Sequence, residues 1–254
     1  MYENLNKLIE TVSILRSPNG CEWDREQTHQ TLRKNMLEEA YEAVDAIDNN
    51  DAKHLKEELG DVLLQVVLHS QIASESNKFN IDDVAKGINE KLIHRHPHVF
   101  GNVKVSSTEE ILKNWEALKQ EEKPHRKSIM DGISKAQSAL MSALKISQKA
   151  VKVGFEWQKE EDIYDCLYSE IDEFKDAKTQ DEKEDEFGDI LFAAVNVARW
   201  NKIDAEQALL RANKKFIARF RKMEELATKD LSEYSFEEYD ELWRSAKRAL
   251  QSEV

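Results

Sequence analysis

Glycine, proline and cysteine are scarce in this chain of 254 residues, which contains seven Gly, three Pro and two Cys. So few Gly and Pro residues leave little material for turns, which excludes a turn-rich architecture. Cys21 and Cys166 fall one in each half of the chain and have no metal-ligand spacing. We therefore interpret both as reduced thiols.

A signal peptide, an apolar run of membrane-spanning length and an excess of basic residues are also missing. The first two absences predict a cytoplasmic protein that does not associate with membranes. The net charge of −13 argues against direct binding of nucleic acids or anionic lipids through a broad electrostatic surface. A polyphosphate substrate would therefore need a divalent cation between itself and the protein.

Ala, Leu, Glu and Lys are abundant, and together with the 40% apolar content they predict an all-α fold. Apolar residues at helical spacing predict a first helix within residues 5–15. Further helices are predicted at 28–47, 51–76, 81–95, from 106 onwards, and at 133–152, 160–178, 181–201, 204–227 and 235–251. Ser106 with Glu109, and Thr179 with Glu182, are predicted capping boxes.

One pattern of acidic residues occurs twice, each time as an ExxE pair followed by a second pair of acids on the next predicted helix. The first copy contains Glu38, Glu39, Glu42, Glu58 and Asp61, and the second contains Glu170, Glu173, Glu186 and Asp189. The flanking landmarks recur in the same order: Cys21-Glu-Trp23 and Phe155-Glu-Trp157, Lys91 with Arg95 and Lys215 with Arg219, Trp115 with Lys119 and Trp243 with Lys247. This recurrence predicts a duplicated domain. We place the domains at 1–120 and 131–254, with a polar linker at 121–130.

The acids of each copy are suited to bind a divalent cation. Residues three apart share a helix face, so Glu170 with Glu173, and Glu186 with Asp189, each present two carboxylates side by side. A short turn between the helices would bring the two pairs together, and converging carboxylates repel one another unless a cation lies among them. Mg²⁺ prefers such oxygen ligands. The alternative is a solvated acidic face, but apolar residues follow Asp189 directly and place it at the edge of a core helix.

Gly60 and Gly188 occupy the same place in the two copies. Glycine inside a helix costs about 1 kcal/mol relative to alanine. We therefore expect both glycines to serve either close packing of helices or access for a ligand.

Basic and aromatic residues downstream of the second acid set are suited to bind a nucleotide. Lys215 and Arg219 lie four residues apart on one helix face, and both side chains bind phosphate oxygens. Trp243 and Lys247, also four apart, can stack on a base and neutralise a phosphate. Each pair alone is more typical of ordinary surface or core positions, but together with a metal site they predict a nucleoside polyphosphate site.

These motifs resemble the MazG family of nucleoside triphosphate pyrophosphohydrolases, within the all-α NTP pyrophosphatase superfamily. The resemblance covers almost the whole chain and rests on an EExxE motif followed by ExxD, and on Cys21-Glu-Trp-Asp24, Arg95-His-Pro-His-Val-Phe100-Gly, Val153-Gly-Phe-Glu-Trp157 and Gly188-Asp-Ile-Leu-Phe192. It implies a two-copy helical-bundle protein that forms a homodimer. It also implies hydrolysis of nucleoside triphosphates to nucleoside monophosphates and pyrophosphate with Mg²⁺, or alternatively Mn²⁺, and with broad base specificity.

The resemblance further implies that the second copy is catalytic. The family's metal ligands are matched there by Glu170, Glu173, Glu186 and Asp189, and its phosphate and base contacts by Lys215, Arg219, Trp243 and Lys247. Ser169 replaces the leading Glu of the motif, which removes a supporting acid and not one of the four ligands. The first copy keeps all five acids, but Pro97 should end its basic helix early. We expect the first copy to serve folding and dimerisation, with weak or no turnover.

The predicted mechanism is metal-assisted hydrolysis without a covalent nucleophile. Glu170 orients or deprotonates the attacking water, and Lys215, Arg219 and Lys247 stabilise charge on the departing pyrophosphate. The absence of a Walker-type glycine loop disfavours ATPase chemistry at the terminal phosphate. Two alternatives stay open: a pyrophosphatase specific for one nucleotide, such as dUTP, a damaged dNTP or a signalling nucleotide, and a non-enzymatic helical partner protein.

Overall fold

The computed structural model describes residues 2–122 and 127–252, and this part of the chain is helical and contains no β-strand. The predicted all-α class is confirmed. Two compact units are present, Met1–Pro124 and His125–Val254. Residues 123–126, inside the predicted linker 121–130, lie outside the described residues. None of the described helices is both long enough and apolar enough to cross a bilayer.

The first unit is organised around a hairpin of two long helices. Its described part contains α1 (Glu3–Leu15), α2 (Glu22–Glu26), α3 (Arg33–Asp48), α4 (Ala52–Glu75), α5 (Ile81–Arg95), α6 (Pro97–Phe100) and α7 (Thr108–Glu121). The short connection from α3 to α4 makes these helices antiparallel neighbours, and α1 and α5 pack on α4. Val12, Leu32, Val67 and Leu68 form the buried centre.

The second unit repeats this plan. It contains α8 (Ala139–Val151), α9 (Glu160–Asp176), α10 (Gln180–Trp200), α11 (Ala205–Leu226) and α12 (Phe236–Ser252). The hairpin of α9 and α10 corresponds to that of α3 and α4, and α8 packs on α10 as α1 packs on α4. The pairing of α11 with α12 corresponds to that of α5 with α7. The duplicated sequence pattern therefore produces the same helix arrangement in both units.

Two helices, α3 and α8, begin at least five residues later than predicted. Helix α3 begins at Arg33 and not near residue 28, because Thr28 and Thr31 form a turn in which each hydroxyl accepts a hydrogen bond from the other residue's backbone N–H. Helix α8 begins at Ala139 and not at 133, because the Ser138 hydroxyl caps it. Polar side chains that bond the backbone locally thus compete with the helix and set its first residue.

The capping box of Thr179 and Glu182 is present as predicted. The predicted box of Ser106 and Glu109 is wrong by one residue. The Ser107 hydroxyl accepts a hydrogen bond from the N–H of Glu110, and the Glu110 carboxylate accepts one from the N–H of Ser106. The run of adjacent Ser, Thr and Glu residues offers several competing registers, and the structure selects the later one.

A bidentate ion pair in each unit ties the loop after the first helix to the long central helix. In the first unit Arg16, just after α1, donates from Nε and Nη2 to the Glu75 carboxylate on α4, at 2.8 and 2.7 Å. In the second unit Arg199 on α10 donates to Glu156 in the loop after α8, at 2.6 and 2.7 Å. These hydrogen bonds lower the pKa of both carboxyl groups. The pairs fix the ends of the hairpins that carry the acidic motifs.

Candidate active site

Three carboxylates converge between α9 and α10 in the second unit. One oxygen from each of Glu170, Glu186 and Asp189 lies within 4.8 Å of the other two. Glu170 projects from α9, and Glu186 and Asp189 lie about one turn apart on α10, so the packed hairpin brings them together. Burial, followed by repulsion from Glu173, Asp189 and Glu170, raises the pKa of Glu186. Such repulsion is relieved by a proton or by a cation.

The first unit contains the equivalent group, formed by Glu39, Glu58 and Asp61. Burial, followed by repulsion from Asp61 and Glu58, raises the pKa of Glu39. The Glu58 side chain is only 7% exposed, and its Oε1 lies 2.9 Å from Nε2 of His54. Its Oε2 is buried and has no hydrogen-bond partner within the described ranges. An unpartnered buried carboxylate oxygen is costly, which is a reason to regard it as a cation ligand.

Both groups fit a small divalent cation. Each Mg²⁺–oxygen bond is about 2.1 Å long, so opposite ligands lie about 4.2 Å apart. The separations within each group, up to 4.8 Å, approach this value closely enough for a modest side-chain rotation to close the difference. Carboxylate oxygens are also the donor type that hard cations prefer. The predicted acidic motifs therefore form two groups that could bind a metal ion.

The fourth acid of each set lies outside these groups. Oε1 of Glu173 accepts a hydrogen bond of 3.0 Å from the hydroxyl of Ser169. In the first unit Glu42 is exposed and is likewise not among the three converging acids. Glu38, the counterpart of Ser169, is exposed. Ser169 thus replaces a fifth negative charge with a neutral donor that holds Glu173 in place.

We expect Ser169→Ala to weaken Mg²⁺ binding about threefold if Glu173 is a fourth ligand, because the freed carboxylate would then have to lose rotational freedom on binding. Ser169→Thr keeps the hydroxyl and should bind Mg²⁺ as the wild type does. Isothermal titration with Mg²⁺ in the absence of nucleotide measures the effect. Equal affinities for the Ala and Thr variants would show that the hydrogen bond does not position Glu173.

The thiol of Cys166 contacts the same acidic group. Its Sγ lies 3.8 Å from Oε1 of Glu170 and can donate a weak hydrogen bond to it. Burial, followed by the negative charge of Glu170, raises the pKa of this thiol. Cys166 therefore stays protonated and helps to orient Glu170.

The helical glycines are not explained by close packing within a unit. A Cβ atom at Gly60 or at Gly188 would meet no other atom within 4 Å. Of the two expected explanations, close packing does not apply inside the described units, and access for a ligand remains a prediction. Gly188 precedes Asp189 on α10, and adjacent residues of a helix do not share a face.

Arginine and tryptophan side chains from α11 and α12 form a second group in this unit. The Cζ of Arg219 lies 5.8 Å from the centroid of the Trp243 ring, and the Phe216 ring lies 5.1 Å from the same centroid. Lys215 and Lys247 are exposed on these two helices. Within residues 127–252, no ion pair engages Lys215, Arg219 or Lys247, and no hydrogen bond links them to the converging acids. Their cationic groups remain available for an anion.

The corresponding arginine of the first unit is already paired. Arg95 lies 5.3 Å from the Trp115 ring centroid, and Lys119 lies 4.7 Å from it. The Arg95 guanidinium also forms a bidentate pair with Glu122, with Nε–Oε1 at 3.0 Å and Nη2–Oε2 at 2.5 Å. This hydrogen bonding lowers the pKa of Glu122 to about 2. The second copy has Leu250 at the matching position.

Sequence reasoning missed Glu122, although a charge signal was present. The segment from Trp115 to Glu122 contains three acids and one Lys, a formal charge of −2. The aligned segment from Trp243 to Leu250 contains two Arg and one Lys and no acid, a formal charge of +3. The two copies therefore carry opposite net charge in the segment where a nucleotide phosphate is predicted to bind.

Comparison with known proteins decides the family. The model of the MazG nucleotide pyrophosphohydrolase domain matches residues 27–100 and 158–223, and the two matches include both acid sets. The chain belongs to the MazG family. The Thermotoga maritima protein named nucleoside triphosphate pyrophosphohydrolase/pyrophosphatase MazG is 48% identical, over 95% of this chain and 94% of that protein. The predicted family resemblance is confirmed.

Two further relatives are similar over nearly the whole chain. The Escherichia coli K12 protein named nucleoside triphosphate pyrophosphohydrolase is 39% identical, over 96% of this chain and 97% of that protein. The Bacillus subtilis protein YabN is 46% identical, over 97% of this chain but only 52% of that protein. A two-unit MazG chain thus occurs both at full length and as part of a longer protein.

Proposed function

We propose that this MazG-family protein hydrolyses nucleoside triphosphates to nucleoside monophosphates and pyrophosphate in its second unit. The proposal rests mainly on one observation: Glu170, Glu186 and Asp189 converge in the unit whose Arg219 has no acidic partner within the described residues. The names of the Thermotoga maritima and Escherichia coli relatives support the same reaction. The cytoplasmic location and the absence of direct nucleic-acid binding stay predictions.

The acids of the second unit would hold Mg²⁺, with Mn²⁺ as the alternative. Glu170, Glu186 and Asp189 supply the converging oxygens, and Glu173, whose charge contributes to the raised pKa of Glu186, would add a fourth carboxylate by rotating its side chain. A bound cation of this kind neutralises phosphate charge and lowers the pKa of water. Glu170 is placed to orient the attacking water or to accept its proton, since Cys166 holds its carboxylate.

The basic residues would bind the triphosphate. Lys215 and Arg219 share one face of α11, and the Arg219 guanidinium offers a planar fork to phosphate oxygens. Together with Lys247 they stabilise the charge that develops on pyrophosphate as it leaves. Trp243 offers a π-face to the base, and stacking of this kind tolerates all bases. We therefore propose broad base specificity.

We propose a homodimer because the hairpin of α9 and α10 exposes apolar side chains. Phe187 and Leu191, one turn apart on α10, are 51% and 46% exposed, and Tyr168 on α9 is also exposed. Soluble monomers rarely expose large apolar patches of this kind. The open space at Gly188 on the same helix leaves room for a helix of the partner copy. Light scattering after size-exclusion chromatography measures the mass directly.

Gly188→Ala should stabilise the protein and reduce its activity. Alanine favours a helix by about 1 kcal/mol over glycine, so the melting temperature should rise. If the open space at Gly188 admits a ligand, the added methyl group obstructs it, and kcat/KM for pyrophosphate release should fall about tenfold. Gly87→Ala is the matched control, because Gly87 lies within α5 and a Cβ there also meets nothing within 4 Å. If both variants gain stability and keep full activity, the face around Gly188 has no functional role.

Product analysis tests the proposed reaction. The purified chain is incubated with each of several nucleoside triphosphates and Mg²⁺, and the products are separated by ion-exchange chromatography. Equal amounts of nucleoside monophosphate and pyrophosphate are expected from every substrate. Turnover of a single nucleotide would favour the narrow-specificity alternative, and the absence of turnover would favour a non-enzymatic partner protein. Release of orthophosphate and nucleoside diphosphate would overturn the proposed reaction.

A further inference from the structure

The first unit contains an arginine, Arg95, whose guanidinium is already paired with a carboxylate of the same chain. Arg95 directs Nε and Nη2 at the two oxygens of Glu122, and Nδ1 of His94 lies 3.3 Å from one of those oxygens. The side chains of Arg95 and Glu122 are only 15% and 20% exposed. Exposed ion pairs contribute little because water competes with them, but this pair is largely shielded from water and is bidentate.

A phosphate group would satisfy the same donors. The two parallel N–H groups of a guanidinium recognise carboxylate and phosphate oxygens with the same fork geometry. Arg95 also lies over Trp115, as Arg219 lies over Trp243 in the second unit, so the two groups share one construction. Glu122 thus stands where a phosphate would be expected.

The charges that surround Arg95 and Arg219 have opposite signs. Glu116 adds a second negative charge near Arg95 and contributes to the raised pKa of its guanidinium, after the larger effect of Glu122. In the second copy the positions of Glu116 and Glu122 are taken by Arg244 and Leu250. The arginine and the tryptophan are present in both copies, and the copies differ because the first supplies two carboxylates here, of which only Glu122 is hydrogen-bonded to the arginine.

We propose that Arg95, Trp115 and Lys119 form a second binding site for polyphosphate anions, which Glu122 occludes as an internal substitute for phosphate. The first unit then fails to bind nucleotide because its own chain competes for the site. The equivalent acidic group of this unit, with the unpartnered Oε2 of Glu58, remains able to hold a cation. The inference goes beyond the proposed reaction and does not require the second unit to be active.

Titration of inorganic triphosphate in the presence of Mg²⁺ tests this inference by counting sites. We expect the wild-type chain to bind one equivalent and Glu122→Gln to bind two, with affinity at the new site at least about tenfold tighter than any residual wild-type binding there. Glu122→Leu copies the residue of the second unit and should behave in the same way. Glu121→Gln removes the neighbouring charge without touching Arg95, and it should keep the wild-type stoichiometry.

The new site should disappear in the double variant Arg95→Ala with Glu122→Gln. Circular dichroism checks the fold, and Glu122→Gln preserves the side-chain shape if the leucine variant fails to fold. Unchanged stoichiometry in folded Glu122→Gln, or an equal gain in Glu121→Gln, would overturn the inference. Two sites in the wild type would also overturn it, because Glu122 would then not occlude the first. If the wild type binds none and Glu122→Gln binds one, the inference holds while the proposed function of the second unit fails.

Discussion

Glu186→Ala should reduce Mg²⁺-dependent pyrophosphate release at least about a thousandfold, because one of the three converging carboxylates of the second unit is lost. Glu58→Ala, the matching change in the first unit, should leave activity within about twofold of the wild type. Comparing these two equivalent substitutions shows which copy of the motif is needed for activity. A colorimetric pyrophosphate assay over a range of Mg²⁺ concentrations measures both variants.

Thermal unfolding provides the control for this prediction. Burial, followed by repulsion from the neighbouring acids, raises the pKa of Glu186, so its removal should not destabilise the metal-free protein. The wild type should gain melting temperature when Mg²⁺ is added, and Glu186→Ala should gain less. Equal loss of activity in Glu58→Ala and Glu186→Ala would mean that both units are needed, and full activity in Glu186→Ala would remove the metal assignment altogether.

Arg219→Ala should lower kcat/KM about a hundredfold, which corresponds to roughly 2.7 kcal/mol of lost transition-state stabilisation. Arg219→Lys keeps the charge but loses the planar fork, and an intermediate loss of about tenfold is expected. The matched variant Arg95→Ala should keep its activity, since that guanidinium is already paired with Glu122. Steady-state kinetics with a nucleoside triphosphate and Mg²⁺ distinguish the three variants. An activity loss in Arg95→Ala equal to that in Arg219→Ala would contradict the assignment.

Arg95→Ala should instead lower the thermal stability of the protein. The pKa of Glu122 is lowered from 4.5 to about 2 in the folded protein. A carboxyl group with a lowered folded-state pKa stabilises the fold above its unfolded value, and this contribution is lost as pH falls toward the folded value. The difference in melting temperature between wild type and Arg95→Ala should therefore be largest above about pH 4.5 and shrink as pH falls toward 2. A difference that is constant with pH would show that packing, and not the ion pair, is responsible.

The converging acids could be predicted from the sequence because they depend on short-range rules. Helical periodicity places Glu186 and Asp189 on one face of α10. The capped turn at Thr179 then brings α10 back along α9. Repetition of the pattern then distinguished Glu170 and its partners from the many other acids of the chain.

Other features depend on contacts that no local pattern encodes. Arg95 and Glu122 lie 27 residues apart and meet only because α5 packs on α7. The pairing of His54 with Glu58 and the hydrogen bond from Ser169 to Glu173 lie at helical spacing, but several other pairs in this charged sequence do so as well. Chemistry alone does not select among them. Packing decides which of the possible pairs form.

The ion pairs that fasten the two hairpins carry their charges in opposite directions. The first unit has Arg16 on the loop and Glu75 on the helix, whereas the second has Glu156 on the loop and Arg199 on the helix. Glu156 aligns with Glu22 and Arg199 aligns with Gln71, so the two pairs join different positions of the shared helix plan. The same connection between loop and central helix is therefore made in the two units by ion pairs at unrelated positions, so a substitution that breaks one pair leaves the other intact.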